Sequence, residues 1–260
     1  MIATIKNTIK TLLKKYWKTL VFFSIAGLVG GFFIGFYLMD AYPEDIKNEI
    51  YSQGLNDTLI AVVSAMQAAT YGILLGAIGI LLGEKTGLFK NERHIEKKPL
   101  CVAGEVALVG GLALILFDLL WFGRVSEAIM ASYAAKPTVA YIIGCVIYGG
   151  VIEEVMLRLF MMTLIAFILL KLDAKSNEER KGLIFTVANI ISCVLFAAGH
   201  LPATALLLGI TPLILFRCFL LNGGIGFLFG WLYQRYGLRY AMLAHAGAHI
   251  VSKIIWIIFI

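Results

Sequence analysis

Apolar residues occupy most of the chain in long uncharged runs, which are separated by short polar connections. Each run is about twenty residues long, the length that an α-helix needs to cross the hydrocarbon core of a bilayer. The strands of a membrane barrel would be about half as long and would alternate polar with apolar residues, which does not fit these runs. The pattern therefore predicts an all-α, polytopic transmembrane helical bundle. The predicted spans lie at about 20–39, 58–82, 101–122, 138–170, 183–200, 213–233 and 240–260.

Two stretches leave the number of spans at seven to eight. The apolar segment at 138–170 is too long for one untilted span, so we expect a kink or a break near its middle. Pro202 and Pro212 interrupt the next stretch, and the segment between them is either a loop or a half-span.

The first nineteen residues have a different pattern. Lysines alternate with apolar residues at helical spacing in residues 1–19, which predicts a basic amphipathic helix lying at the membrane surface. The lysines are Lys6, Lys10, Lys14, Lys15 and Lys18.

The charged connections predict the orientation in the membrane. Lysine and arginine are concentrated at the N-terminus and in the loops at 83–100 and 171–182, and short cytoplasmic loops carry such an excess. The connection at 40–57 is acidic, with Lys47 as its only cation, and should lie outside. We therefore expect a multi-pass protein of the cell membrane with a cytoplasmic N-terminus.

Composition agrees with this prediction and excludes other classes. The chain is 60% hydrophobic and 15% charged, with a mean hydropathy of +0.89, whereas soluble domains are nearer half apolar and a quarter charged. The loops account for the net charge of +6, so it does not indicate nucleic-acid binding. The four cysteines lie in apolar stretches and lack the spacing of a disulfide framework or a zinc ribbon. Gly27, Gly31 and Gly35 are spaced by four, which predicts close helix packing.

Ionisable residues inside the predicted spans are the candidates for chemistry, because a charge in hydrocarbon is costly unless it faces a partner or a polar cavity. Glu153, Glu154 and Arg158 lie together in the long fourth span. On a helix Glu154 and Arg158 share a face and should pair, whereas Glu153 is turned away by about 100° and is left to handle a proton. The alternatives are an ion network that only fixes helix packing, or a span that ends here in the headgroups.

Three of the four histidines fall in the apolar second half of the chain. His200 closes the fifth span four residues after Phe196, and a histidine at a span end is either interfacial or catalytic. His245 and His249 are four residues apart in the last span, with only small residues between them, which leaves room for a ligand. The alternative for this pair is a hydrogen bond that ties helices together.

In this order the residues resemble the motifs of the CPBP family, named for CAAX proteases and bacteriocin-processing enzymes and also called the Abi or type II CAAX prenyl endopeptidase family. The family motifs are EExxxR, FxxxH and HxxxN or HxxxD. The matching residues here are Glu153, Glu154 and Arg158, then Phe196 and His200, then His245 and His249. The resemblance covers about 138–255. It divides the chain into the surface helix at 1–19, motif-free spans at 20–137 and a protease-like core at 138–260.

The resemblance implies a glutamate-dependent intramembrane endopeptidase. The glutamate and the first histidine would activate a water, and the last two histidines would donate hydrogen bonds to the oxyanion. The implied catalytic residues are Glu153, His200, His245 and His249, and the implied supporting residues are Glu154, Arg158 and Phe196.

His249 departs from the family, which has asparagine or aspartate at this position. A neutral histidine can also donate a hydrogen bond, which is compatible with the oxyanion role. The departure also produces one glutamate with three histidines, a set that could bind zinc through His200, His245 and His249. The HExxH motif of ordinary zinc proteases is missing from the sequence, and we expect a site without a metal or other cofactor.

The expected partners are a peptide or protein substrate, with or without an attached lipid, and membrane lipid. Nucleic acid is not expected, and the oligomeric state is left open. Two other functions are also open. A non-proteolytic member of the family would act in bacteriocin self-immunity or as a scaffold, and an ion or proton carrier would transport in a Glu153-dependent way without cleaving peptides.

Overall fold

The described part of the chain is mostly helical and contains no strand, which confirms the predicted all-α class. The computed structural model describes residues 2–90, 94–173 and 177–260, with side chains from residue 10 onward. Seven helical segments in these residues are long and apolar enough to cross a membrane, the fifth made of α7 and α8 together. In chain order the helices are α1 (Ile2–Ala41), α2 (Glu44–Ser52), α3 (Asp57–Thr86), α4 (Lys97–Val125), α5 (Glu127–Ser132), α6 (Val139–Leu172), α7 (Glu178–Gly199), α8 (Leu201–Leu208), α9 (Pro212–Tyr236) and α10 (Leu238–Phe259).

Polar residues between the apolar runs start the spanning helices. At the beginning of α3, α6, α7 and α9, a side-chain oxygen accepts a hydrogen bond from a backbone N–H of the first turn, which would otherwise be unpaired. The capping residues are Asn56, Thr138, Asn177 and Thr211. The polar connections therefore determine where these four helices begin.

The basic N-terminal segment and the first span form one continuous helix, α1, and not a separate surface helix followed by a span. Leu12, Tyr16 and Leu20 are buried in the protein core, so part of the apolar face of this segment packs on other helices. Trp17 on the same segment is half exposed. The side chain of Lys6 lies outside the described residues, and a position of this segment at the membrane surface stays a prediction.

The long fourth span is one continuous helix, so the expected break is absent, whereas the expected kink stays a prediction. Helix α6 runs without interruption from Val139 to Leu172. In its middle, over Cys145–Glu153 and Val155–Met162, the backbone hydrogen bonds widen to the π-helical pattern. Such widened turns are frequent at functional sites, because they move side chains out of regular helical register. The segment after His200 is also helical, as α8, and not a loop.

Glycines bring the helices into close contact, as their spacing predicts. A Cβ atom added at Gly31 of α1 would lie 2.5 Å from the carbonyl oxygen of Ser64 in α3. Gly79 of α3 approaches the backbone of Leu159 in α6 equally closely, since a Cβ there would lie 2.6 Å from its carbonyl oxygen. Helix α6 contacts α1, α3, α7 and α10, which places the two glutamates in the middle of the bundle.

The basic ends of several helices meet at one end of the bundle. Near the N-terminus of α1, Lys15 forms an ion pair with Glu84 at the end of α3. A Cβ added at Gly87, just after α3, would lie 3.7 Å from Nζ of Lys181 at the start of α7. The N-terminus and the loops at 83–100 and 171–182 therefore lie at the same end. Arg93 and Lys175, which contribute to the charge of these loops, lie outside the described residues.

We expect this end to face the cytoplasm. Reporter fusions at Lys97 and at Asp45 should report opposite sides of the membrane, because one span, α3, separates the basic loop from the acidic connection. A cytoplasmic signal from Lys97 and an external signal from Asp45 would fix the orientation. The same side for both positions would contradict the assignment of the first two spans.

Candidate active site

Glu154 is the central buried residue of the predicted site. Its side chain is fully buried, and its Oε1 atom lies 3.1 Å from Nη1 of Arg158, which confirms the pairing predicted from the spacing. The same oxygen is 2.8 Å from Nδ1 of His245 in α10. Glu154 therefore connects the first motif to the last one, a contact that the spacing did not predict.

Besides its ion pair with Glu154, Arg158 makes two further kinds of contact. It is 1% exposed, and its Nη2 donates a hydrogen bond to the carbonyl oxygen of Gly226 in α9 at 2.7 Å. The guanidinium also lies over the ring of Phe196, 5.0 Å from the centroid, at a distance typical of a cation–π contact. Arginine thus joins α6 to α7 and α9, and the phenylalanine of the second motif supports this cation.

Glu153 is more accessible than its neighbour. Its side chain is 19% exposed, and its Oε2 lies 3.8 Å from Nε2 of His245. The imidazole of His245 therefore stands between two carboxylates, with Nδ1 toward Glu154 and Nε2 toward Glu153. Because Nδ1 donates to Glu154, Nε2 can donate to an oxyanion only when the ring carries both protons.

His249 stacks on His245, with ring centroids 4.9 Å apart and planes inclined by 27°. Its Nδ1 atom is buried and has no hydrogen-bond partner among the described residues. A glycine makes room for the ring, because a Cβ at Gly149 of α6 would lie 2.8 Å from Nε2 of His249. The ring is therefore positioned by packing and not by a hydrogen bond from Nδ1.

His200 lies at the end of α7, where its ring packs edge-on against Phe196 with centroids 4.7 Å apart. Its Nδ1 is 2.9 Å from the carbonyl oxygen of Phe196. The Phe196 ring also lies 6.2 Å from that of His245, so the second motif adjoins the third. Within the described residues no hydrogen bond or ion pair joins His200 to Glu153. A pair that activates a water needs only to hold that water between its members.

The arrangement gathers the predicted residues at the contact of α6, α7, α9 and α10 but forms no metal cluster. Among the residues that the structure describes, no three His, Cys, Asp or Glu side chains are placed to hold one ion. The zinc set of His200, His245 and His249 is therefore not assembled in this structure. That the active protein works without a metal stays a prediction.

Sequence reasoning missed the residues that set the spacing of the helices at the site. Gly149 and Gly150 precede the two glutamates, and a Cβ at Gly150 would lie 2.7 Å from that of Ala246. At Gly226 a Cβ would lie 2.8 Å from Nη2 of Arg158. The Gly-Gly pair two residues before Glu-Glu was the available signal, because glycine in a helix indicates a close approach.

Gly149→Ala should test whether the position of His249 matters. The added methyl group requires the imidazole to shift, and we expect peptide cleavage to fall on the order of a hundredfold while the protein still accumulates. Gly104→Ala is the matched control, since the same change in α4 meets nothing within 4 Å. Full activity of Gly149→Ala would show that the ring can move without consequence.

The comparison with known families agrees with this geometry. Residues 135–251 match the family described as Type II CAAX prenyl endopeptidase Rce1-like. The matched region begins before α6 and ends two residues after His249, so it contains every residue of the three motifs. No curated protein and no solved structure matches the chain.

Proposed function

We propose that this multi-pass membrane protein, whose residues 135–251 match the type II CAAX prenyl endopeptidase family, a protease family, is an intramembrane endopeptidase that uses a glutamate-activated water. The observation that carries the proposal is the imidazole of His245, held in the middle of the bundle between the buried Glu154 and the more accessible Glu153. A carboxylate and an imidazole placed in this way can move protons at a site from which bulk water is largely excluded.

The mechanism assigns separate tasks to the carboxylates. Glu153 and His200 would position a water, and Glu153 would take its proton as the oxygen attacks the carbonyl carbon of the peptide. The proton would then pass to the leaving amine, so that one water is consumed and two peptide ends are formed. Glu154 would stay ionised throughout, because it balances the charge of Arg158.

The two histidines of α10 would stabilise the transition state. As the carbonyl oxygen becomes negative, His249 and a doubly protonated His245 would each donate a hydrogen bond to it, and one such donor contributes about 3–4 kcal/mol in proteases. Stacking of the two rings keeps both donors on the same side of the substrate. Glu154 holds the ring of His245, and the space at Gly149 accommodates the ring of His249. Little reorganisation of the two rings is therefore needed during the reaction.

The substrate would be a peptide that reaches the site from the membrane or from its cytoplasmic face. Peptides of the CAAX type, with or without a prenyl group, are the first candidates because of the family. A non-proteolytic role in bacteriocin self-immunity or as a scaffold is the second candidate. It is favoured by one observation, the histidine at position 249 where the family motif has asparagine or aspartate.

A cleavage assay with the purified protein tests the proposal. A fluorogenic peptide that ends in a farnesylated CAAX sequence should be cleaved by the wild type and left intact by Glu153→Ala. Glu105→Gln is a suitable control, because this glutamate is exposed on α4 and belongs to none of the three motifs. Wild-type protein that is folded and cleaves neither this peptide nor its unprenylated form would contradict proteolysis and favour the second candidate.

A further inference from the structure

Helix α10 carries a third ionisable residue in line with its two histidines. His245, His249 and Lys253 follow one another at intervals of four residues and therefore share a helix face. This face is turned toward α6. Along α6 the three residues meet Glu154, Gly149 and Tyr141 in antiparallel order.

Lys253 is buried without a counter-charge among the described residues. It is 7% exposed, and its Nζ donates one hydrogen bond, to the hydroxyl of Tyr141 at 3.2 Å. The same atom lies 4.3 Å from the ring centroid of Tyr141 and 5.6 Å from that of Trp256. No described carboxylate lies within 4.0 Å of it. A lysine has three N–H donors, and a buried cation is normally paired with an anion.

The position of Lys253 relative to the histidines corresponds to a short length of peptide. With a rise of about 1.5 Å per residue, the backbone of Lys253 lies about 6 Å beyond that of His249 and about 12 Å beyond that of His245. An extended chain covers about 3.3–3.6 Å per residue. About two to four residues of a bound peptide would therefore span the distance from the oxyanion donors to this ammonium group.

We propose that Lys253 binds the free C-terminal carboxylate of the peptide substrate and so determines how far from its end the substrate is cut; this rests on the proposed proteolytic function. The carboxylate supplies the negative charge that the surroundings of Lys253 lack, and the aromatic rings exclude water around the pair. The first turn of α10 lies beside the basic end of the bundle, where the Tyr240 hydroxyl accepts a hydrogen bond from the backbone N–H of Glu96. Lys253 lies further from that end than the two histidines, so a substrate that enters from the basic end has its C-terminus leading.

The test compares a farnesylated CAAX peptide with its C-terminal amide, which has the same length but no terminal charge. Wild-type protein should cleave the acid with a kcat/KM at least tenfold above that of the amide. Lys253→Met should reduce this ratio to about one by slowing only the acid, and Lys253→Arg should retain it. Lys136→Met is the matched control, because this lysine is exposed and donates to the carbonyl oxygen of Ile257 near the same end of α10.

Peptides of different lengths test the distance between Lys253 and the cleaved bond in the wild-type protein. Peptides extended by one or two residues at the C-terminus should be cut one or two bonds further along, so that the released fragment keeps its length in mass spectra. Cleavage that stays at the same bond, or equal rates for acid and amide in the wild type, would overturn the role of Lys253. A loss of both rates to the same extent in Lys253→Met would also overturn it, since that is the result of a purely structural lysine.

Binding to the Glu153→Gln protein separates this proposal from proteolysis itself. The acid should bind more tightly than the amide, and the difference should disappear when Lys253→Met is added. That result supports the carboxylate site even if the wild type cleaves neither peptide, in which case the proteolytic function alone is overturned. Equal affinities for acid and amide would overturn the carboxylate site.

Discussion

Glu153→Gln should abolish peptide cleavage and leave the protein folded. The substitution removes the proton acceptor and preserves the shape of the side chain. Its structural cost should be small, because Glu153 is 19% exposed and its one described ion contact, to His245, is 3.8 Å long. Cleavage rates, protein abundance and thermal unfolding of the purified variant check this expectation. A variant with wild-type cleavage would remove Glu153 from the mechanism.

Glu154→Gln should have a different effect, although it lies one residue away. The substitution leaves the buried Arg158 without its counter-charge, and breaking a buried pair in this way costs about 3–5 kcal/mol. The hydrogen bond from His245 would also be weakened. We therefore expect low abundance and a lowered unfolding temperature. A well-folded but inactive Glu154→Gln protein beside an active Glu153→Gln protein would reverse the two roles.

His249→Ala should lower cleavage on the order of a hundredfold or more, because it removes an oxyanion donor. His249→Asn should stay within about tenfold of the wild type, since an amide also offers an N–H group and a tenfold loss is about 1.4 kcal/mol of barrier. Both variants lose the ring that packs beside Gly149, but only His249→Asn keeps an N–H donor. The ratio of their kcat/KM values therefore measures the contribution of the hydrogen bond.

Zinc catalysis would produce a different pattern for the same two variants. Asparagine is a poor substitute for imidazole as a zinc ligand, so both changes at His249 would then destroy activity alike. A chelator would also inactivate the wild type. We expect neither result, and stoichiometric zinc in purified, active protein would contradict the metal-free mechanism.

Some features of this protein follow from its sequence alone. The spans could be predicted because a bilayer imposes a helix length and a hydropathy that are visible in any window of the chain. The ion pair of Glu154 with Arg158 could be predicted as well, because a spacing of four places two residues on one helix face. Both are local properties, which depend on neighbours along the chain.

Only the tertiary structure decided the contacts between helices. His245 reaches Glu154 across a separation of 91 residues, and Gly149 makes room for His249 from another helix. The antiparallel packing of α6 on α10 also places Tyr141 against Lys253. Residue spacing does not show which two helices meet or in what register, because that choice depends on the fit of all side chains in the bundle. The motifs therefore name the residues of the candidate site, whereas helix packing determines which nitrogen faces which carboxylate.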